Sequence, residues 1–406
     1  MRTRTWCVVG ALVCLATPAM GQSVLSEADA LARLSTDSPR VRAIRASSAV
    51  ARADIVAAGR WPNPRFTYNR ESVAGVTENM FLVTQPLPVT GRRGLEIEAA
   101  TARADAQDRR SDDAIRQARS ELRVAYADLA AAQARESELV TARSRLDELV
   151  QILASRERAG DAAGYDFLRA QRELTELDTE LSAARDVRAR ARGALGGFFA
   201  SPADASAMVV SSPNTANRSP LPTVEELVAK ARTVRGDALA LQKEAEAAQL
   251  AARAAERRGV PEPEIVAGTK SSNVGAGDVG TVFSVHVPIP LFDHGQPERA
   301  VARAQATQAE AQLAAFNTEL NARIASLHAL VLERRTAADR YRAASGSSAE
   351  LERIAQVSYE AGERGILELL DAYRSGANAR AKQVRLDVEA REAEIELEFV
   401  SGWEVR

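Results

Sequence analysis

The sequence predicts a mainly α-helical protein with a small β part, built as an internal duplication. The stretch from Gly94 to Arg158 contains no proline and no glycine after Gly94, which predicts one very long helix. Short alternating segments bounded by prolines predict two β-hairpins. The same order of elements then occurs a second time about 200 residues later, which indicates two structural repeats.

The long helix carries coiled-coil spacing. Its length, at 1.5 Å per residue, is on the order of 95 Å. Apolar residues repeat every seven positions in two series separated by one phase change: Ile115, Leu122 and Leu129, then Leu139, Leu146 and Leu153. Tyr126 and Leu149 occupy the alternate seam position. This spacing predicts packing against antiparallel partner helices, and a solvated rod of the spectrin kind is the alternative.

The N-terminus has the pattern of a cleaved secretory signal. Residues 1–21 combine two arginines, a short apolar run and small residues before Gln22. No later segment approaches the roughly 20 consecutive apolar residues of a membrane helix. Both cysteines, Cys7 and Cys14, fall in the signal, so we expect an exported chain without disulfides. Neither cysteine has the sequence context of a lipidation site.

Composition argues against a nucleic-acid partner and favours packed helices. The chain has 53 basic and 55 acidic residues and no basic stripe. Hydrophobic residues make up 46% but aromatic residues only 4%, and much of the apolar share is alanine. This balance suits long helices in close contact better than one compact core.

The first repeat, residues 22–200, is predicted as helix, hairpin, long helix and returning helix. Its expected elements are a helix over Ser26–Gly59 with Ser26 as N-cap, strands at Arg65–Ser72 and Met80–Gln85 around a loop at Val73–Asn79, the long helix, a turn at Ala159–Gly164 and a helix over Tyr165–Leu195.

The second repeat, residues 223–406, follows a connector at 201–222 that is rich in Ser, Pro and Asn. Pro86 and Pro288 stand 202 residues apart, and so do Ala159 and Ala361. The expected elements are a helix over Thr223–Arg258, strands at Glu264–Ser271 and Gly280–Val287, a long helix over Gln296–Ala361 interrupted only by Pro297 and Gly346, and a returning helix from Ile366 to about Trp403.

Four short strands cannot close a barrel, and open strand edges invite pairing with another chain. We therefore expect a ring of identical subunits that share one β-barrel, with the helices forming a tube beneath it. Strands of about nine residues suit a membrane barrel. Phe283, Val285 and Val287 would then face lipid, while Ser284 and His286 would face the lumen. Soluble hairpins that cap a coiled coil are the alternative.

Nothing in the sequence favours catalysis. His286, His294 and His328 are the only histidines, and no metalloprotease, nucleophile-elbow or phosphate-binding motif occurs. His286 and His294 are eight residues apart, but His294 falls in a connecting turn. We predict no enzyme activity, no cofactor and no metal site.

Several motifs together resemble the TolC-like outer-membrane efflux proteins, over nearly the whole mature sequence. They are Pro86–Pro88 before Gly91–Gly94, the segment Val287–Arg299, and the turns at Ala159–Gly160 and Ala361–Gly362. The resemblance implies a homotrimer with a shared transmembrane β-barrel in outer-membrane lipid and a long periplasmic helical tunnel. It also implies a periplasmic adaptor (membrane fusion) protein and an inner-membrane pump of the RND type as partners.

The short length and the segment Pro290–Gln296 favour the heavy-metal (CzcC-like) branch of that family. The chain departs from many relatives in having no lipidation cysteine. On this reading it is an exit duct that passively conducts metal ions or small toxic molecules. A periplasmic coiled-coil adaptor or structural scaffold is the second hypothesis, although adaptors carry β-rich domains for which this sequence gives no sign.

The resemblance also assigns roles to the two helical turns. Ala159, Gly160, Ala361 and Gly362 would lie at the periplasmic tip where the adaptor docks. The residues that could line a closed aperture beside them are Asp161, Asp166, Glu363, Glu368 and Asp371, with Arg364 as a cationic partner. Rings of like charge can bias a gate and select cations. Ordinary turn glycines and solvated surface charges are the alternatives.

Overall fold

The computed structural model describes residues 24–34, 38–160, 164–199, 208–211, 220–275 and 278–403. The helices are α1 (Glu27–Arg33), α2 (Pro39–Ala58), α3 (Arg92–Ala159), α4 (Gly164–Gly196), α5 (Val224–Val234), α6 (Gly236–Glu256), α7 (Gln296–Ser345), α8 (Ser348–Glu360) and α9 (Ile366–Ser401). The strands are β1 (Val24–Leu25), β2 (Arg65–Val73), β3 (Val76–Pro86), β4 (Val209–Val210), β5 (Glu264–Ser272) and β6 (Val279–His286).

The order of elements confirms a mainly helical, internally duplicated fold with a small sheet. Each half contains helices, a hairpin, a long helix and a returning helix. The predicted signal peptide and most of the connector lie outside the described residues. The boundaries at 1–21, 22–200, 201–222 and 223–406 therefore remain predictions.

The helix α3 is continuous over 68 residues, or about 100 Å. The apolar residues of α3 before the phase change pack against different elements from those after it. Leu122 and Leu129 lie in a core with Leu25, α1, β4 and the end of α4. Leu146 and Leu153 lie in a different core with α4, α8 and α9. Only the second series is therefore a coiled-coil seam between long helices.

The four long strands form one antiparallel sheet in the order β2-β3-β5-β6. Pairing of β3 with β5 joins the hairpins of the two repeats. The predicted loop at Val73–Asn79 is wrong, because Ala74 and Gly75 alone make the turn, with φ angles of 49° and 81°. Residues Thr77 to Asn79 are polar, yet they pair with Arg70 to Ser72 and extend β3.

Two predicted helices are each divided in the structure. The helix predicted over Ser26–Gly59 is interrupted between α1 and α2, because Pro39 begins α2 and cannot continue the helix before it. The predicted N-cap is confirmed, because the Ser26 hydroxyl accepts from the Asp29 amide. The helix expected over Thr223–Arg258 breaks at Arg235, where the chain passes close to α3.

Contacts between helices place the sheet and the turns at opposite ends of α3. Near the sheet, α3 packs against α2 and α6, and α6 packs against α7. Toward the other end, α3 packs against α4 and α9, and α8 packs against α9. Small side chains allow these close contacts: a Cβ at Gly236 would lie 2.3 Å from the Arg109 carbonyl oxygen.

Candidate functional site

The β2-β3-β5-β6 sheet has two chemically different faces. The register places Phe66, Tyr68, Phe81 and Phe283, which are all the aromatic residues of these strands, on one face. Val83, Ile265, Ala267 and Val285 lie on this same face. We call it the apolar face. Its aromatic side chains are open to solvent in the single chain, with Phe66 66% and Phe283 71% exposed.

The opposite face, here called the polar face, carries the charges. It includes every charged or histidine residue of these four strands except Arg70: Arg65, Glu71, Glu78, Glu264, Lys270 and His286. Lys270 Nζ lies 2.6 Å from Glu78 Oε2, and Arg65 Nη2 lies 3.4 Å from Glu264 Oε1. A few aliphatic side chains, such as Leu82 and Val266, are interleaved with these groups.

The predicted alternation along β6 is confirmed for its strand residues. Phe283 and Val285 lie on the apolar face, and Ser284 and His286 lie on the polar face. Val287 follows the end of the strand and is exposed. The strand order leaves β2 and β6 as the edge strands of this sheet.

A polar junction fixes the base of the sheet to the long helix. The Thr90 hydroxyl donates to Glu262 over 2.7 Å, and Arg92 Nη2 donates to the same carboxylate over 3.1 Å. The Leu87 amide donates to the Pro263 carbonyl oxygen. These contacts join the proline segments of the two repeats, so that both hairpins enter the helical part as one unit.

The two helical turns lie at the same end of the molecule. Gly160 follows α3 and Gly362 follows α8, both in the left-handed region, with φ angles of 80° and 74°. Leu153 of α3 and Ile366 of α9 belong to one apolar cluster beside them. The four predicted docking residues Ala159, Gly160, Ala361 and Gly362 are exposed.

The predicted aperture residues are carried by these turns, by the first turn of α4 and by the first two turns of α9. Glu363, Arg364, Glu368 and Asp371 are exposed and Asp166 is half-buried, whereas Asp161 lies outside the described residues.

Inside the chain these charges remain open to other partners. None of the described members of the set forms an ion pair with another described residue. Burial raises the pKa of the Tyr359 hydroxyl in α8, and the charge of the Asp166 carboxylate raises it further. Arg364 pairs with none of the described carboxylates.

Sequence reasoning missed a buried network of charges between the two repeats. Arg123 of α3 pairs with Glu27 of α1 and with Glu398 of α9. Arg391 pairs with Glu27 over 3.1 Å, and Arg335 of α7 pairs with Glu394 over 2.7 Å. The sequence of α9 does indicate this network, because the charged residues Glu394 and Glu398 interrupt a helix face that is otherwise apolar.

None of the helices in the described ranges is both long enough and apolar enough to cross a membrane. In the same part of the chain, no three His, Cys, Asp or Glu side chains come together in a way that could hold a metal ion.

The family model described as outer membrane efflux protein matches residues 225–402. No curated protein sequence matches the chain at a significant level. The match covers the second repeat, and it confirms the resemblance expected from the proline and glycine motifs.

Solved structures match the fold over almost the whole chain. A membrane protein from Pseudomonas aeruginosa has a TM-score of 0.77 and 19% identity, covering 93% of this chain and 92% of that one. VceC, an outer membrane protein from Vibrio cholerae, has a TM-score of 0.76 and 18% identity, covering 93% and 96%. CusC, described in connection with transmembrane channel formation, has a TM-score of 0.75 and 16% identity, covering 93% and 92%. At these identities the likeness establishes the fold.

Proposed function

We propose that this chain, which resembles the outer membrane efflux protein family and has the fold of such proteins, is the outer-membrane exit duct of a tripartite efflux system. Three copies would share one barrel in the outer membrane, and their helices would form a tube through the periplasm. The duct conducts passively, because the energy for export comes from the inner-membrane pump.

The observation that carries this proposal is the contrast between the two faces of the sheet. An aromatic and aliphatic face that is exposed along four strands costs free energy in water and is stable against lipid. The polar face then lines an aqueous passage. The strands have 8 to 11 residues, a length that suits tilted strands in a bilayer.

The edge strands explain why several copies are needed. The free edges of β2 and β6 lie on opposite sides of the sheet, so in a ring the free edge of β6 in one chain would face the free edge of β2 in the next. Such pairing is head to tail and closes by rotation. Closure removes the unpaired backbone groups that lipid would not tolerate.

Neighbouring residues of β6 test this orientation as a matched pair. The predicted mature chain has no cysteine, so Phe283→Cys and Ser284→Cys each introduce a single thiol. In intact outer membranes, we expect a lipid-soluble maleimide to label position 283 and a water-soluble one to label position 284 through the lumen. Equal labelling of both thiols by the water-soluble reagent would rule out a membrane barrel.

The aperture proposal rests on the exposed carboxylates at the start of α9. Three copies of Glu368 and Asp371 around one axis would give rings of negative charge that favour cations. In planar bilayers, we expect Glu368→Gln with Asp371→Asn to lower the cation-to-anion permeability ratio. Asp186→Asn, which removes an exposed carboxylate in the middle of α4, is the control and should leave the ratio unchanged.

The shape of the turns supports a periplasmic adaptor as partner. Exposed alanine and glycine at both turns let another helical hairpin approach closely. Cysteine at Ala159 or Ala361 should form crosslinks to a periplasmic adaptor in cells, whereas cysteine at exposed Ser182, in the middle of α4, should not. Heavy-metal ions as substrate are supported by the short length of the chain and the Pro290–Gln296 segment, and metal sensitivity of a deletion strain is the test.

A further inference from the structure

The apolar face of the sheet has a clear limit on the side of the hairpin turns. Arg70 is the one charged residue that the four described strands place on that face, and it lies in a row with Asn79 and Ser271. The rows nearer the helices carry aromatic and aliphatic side chains, with a few hydroxyl and amide groups among them. Arg70 is exposed and forms no ion pair with any described residue.

The row next to Arg70 has the chemistry of a boundary between lipid and water. The Tyr68 ring stacks on the Phe81 ring with their centres 4.9 Å apart. The Tyr68 hydroxyl donates to Asn79 Oδ1 over 3.0 Å, so its polar end lies at the row of Arg70. Tyrosine is enriched at membrane interfaces for this reason. An arginine just beyond such a ring reaches lipid phosphates while its methylene groups remain beside apolar chains.

The sheet between Arg70 and the helices is too short to cross the apolar part of an outer membrane by itself. Arg70 pairs with Asn79, and β3 ends seven residues later at Pro86. Seven residues at about 3.4 Å each, in a strand tilted by about 40°, span roughly 18 Å along the membrane normal. The apolar band of a membrane barrel is about 25 Å tall. About 7 Å of apolar surface must therefore come from residues between the sheet and the helices.

The segment after β6 exposes apolar side chains at this level. The last row of the sheet is Pro86, Glu264 and His286, so residues 287–292 begin where the sheet ends. The exposed apolar residues of this segment are Val287, Ile289, Leu291 and Phe292. Phe292 is 93% exposed, although an aromatic ring that remains in water loses the free energy of burial.

Trp61 places another aromatic ring at the opposite edge of the sheet base, just before β2. The Gln85 side chain donates to the Pro62 carbonyl oxygen over 3.0 Å, which holds the residue after Trp61 against the end of β3. The Trp61 ring is exposed, and the Arg93 guanidinium lies 5.4 Å from its centre. Tryptophan, like tyrosine, is enriched where lipid meets water. The base of the sheet therefore has aromatic residues at both edges.

The backbone of residues 287–292 suits contact with acyl chains. Pro288 and Pro290 have no N–H group, and the Leu291 N–H donates to the Ile289 carbonyl oxygen over 3.0 Å. Fewer unpaired N–H groups lower the cost of placing an irregular segment beside lipid. The next residue, Asp293, accepts from the Gly295 amide over 2.7 Å. The chain thus changes from apolar to charged directly after Phe292.

The charged side chains at the base of the sheet are paired with one another. Arg92 Nη2 lies 3.1 Å from Glu262 Oε2, and Arg92 Nη1 lies 2.8 Å from Glu96 Oε1. All three side chains are half-buried where the hairpins meet α3. They therefore do not place an unpaired charge against lipid at this level.

We propose that two levels of the chain fix its position in the bilayer. At the outer level, the Arg70 guanidinium contacts lipid phosphates. At the inner level, residues 287–292 lie among the acyl chains of the inner leaflet, with Trp61 at its boundary. The inference rests on the proposed function, which puts the sheet in the outer membrane and the helices in the periplasm, and it names lipid as the partner of the apolar segment.

Collision accessibility of spin labels tests both levels, with the full chain in vesicles of phosphatidylethanolamine and phosphatidylglycerol. The predicted mature chain has no cysteine, so each variant carries one label. Oxygen concentrates among acyl chains, which exclude a water-soluble nickel chelate. We expect the oxygen-to-nickel collision ratio at Leu291→Cys and Phe292→Cys to be several-fold above that at exposed Asp186→Cys in α4. The label at Arg70→Cys should give an intermediate ratio.

Phe283→Cys separates a failure of this inference from a failure of the proposed function. A label at 283 that collides with nickel as the one at 186 does would show that the sheet is outside the bilayer. If 283 favours oxygen but 291 and 292 favour nickel, the inner level is wrong. Labels at 291 and 292 that meet neither reagent would show that a second copy of the chain covers them, which also overturns it. A ratio at 70 equal to that at 283 would overturn the outer level.

Discussion

Asp113 is a buried carboxylate of α3 that holds the break between α5 and α6. One oxygen accepts from the Gly236 amide over 3.1 Å, and the other lies 3.3 Å from Arg235 Nη2. Arg235 is itself buried and stacks over the Phe399 ring at 4.5 Å. Burial raises the pKa of Asp113, although the charge of Arg235 acts to lower it.

We expect Asp113→Ala to destabilise the protein by about 2 kcal/mol, because the buried Gly236 amide loses its acceptor and Arg235 keeps only Asp237 as a carboxylate partner. The shift of the urea midpoint of the purified protein measures the cost. Asp112→Ala removes the exposed neighbouring carboxylate and should change stability by less than about 0.5 kcal/mol. Equal effects of the two variants would show that the buried pair has no special role.

The burial of some residues could be predicted from the sequence, whereas the burial or pairing of others could not. Leu146 and Leu153 are buried as the heptad spacing predicts, whereas the apolar side chain of Leu168 in α4 is 63% exposed. It lies beside the turn, where α4 has just begun and has fewer helices around it. Asp113 and Arg235 were not predicted, because their pairing depends on a contact between helices that are far apart in sequence.

Gly376 of α9 shows how one element is fixed against another. The Glu352 side chain of α8 lies against this glycine and pairs with Arg145 of α3 and Arg380 of α9, at 2.9 and 2.7 Å. A Cβ at position 376 would lie 1.5 Å from Glu352 Oε1. The glycine therefore allows the carboxylate to reach both arginines.

Gly376→Ala should release α8 from α9, because Glu352 must leave its two arginines to make room. Hydrogen exchange of residues 348–360 should become faster. The matched control is Gly193→Ala in α4, where nothing lies within 4 Å of a Cβ and the change should stabilise the helix by about 0.5–1 kcal/mol. Unchanged exchange in Gly376→Ala would show that Glu352 moves without consequence.

Glu27 connects the short helix α1 to α3 and α9. Burial alone would raise the pKa of this carboxyl group, but Arg391 and Arg123 outweigh burial and lower it. A lowered pKa contributes stability above the unfolded value near 4.3 and loses it as the pH falls through the folded value. Glu27→Gln should therefore lower the urea midpoint at pH 7, and the difference should disappear toward pH 3. A difference that persists at pH 3 would contradict the electrostatic origin.

At the scale of elements, long regular segments were predictable and their ends less so. The continuous α3 followed from the absence of proline and glycine, and the hairpins followed from alternation between prolines. The divided helices were missed, because Pro39 and Arg235 interrupt patterns that otherwise remain helical. The short hairpin turn was missed, because Thr77 to Asn79 have loop-like composition but are held by cross-strand pairing.

A single chain of this protein exposes surfaces whose contact with water is energetically unfavourable or whose polar groups have no partner within the described part of the chain. One face of its sheet is apolar and exposed, its edge strands β2 and β6 have unpaired sides, and the helical turns carry charges without described partners. The internal duplication explains how one chain supplies two hairpins and two turns at opposite ends of the same long helices. Association of identical chains in a membrane would pair the free edges of β2 and β6 and place the apolar face against lipid.

The most direct test of this account is the location and oligomer mass of the full-length protein. Membranes are fractionated, the protein is extracted in mild detergent, and the mass of the protein part of the particle is determined by light scattering. The account predicts an outer-membrane particle of three chains. A soluble periplasmic monomer would contradict the shared barrel, and the protein would then be a helical adaptor or scaffold.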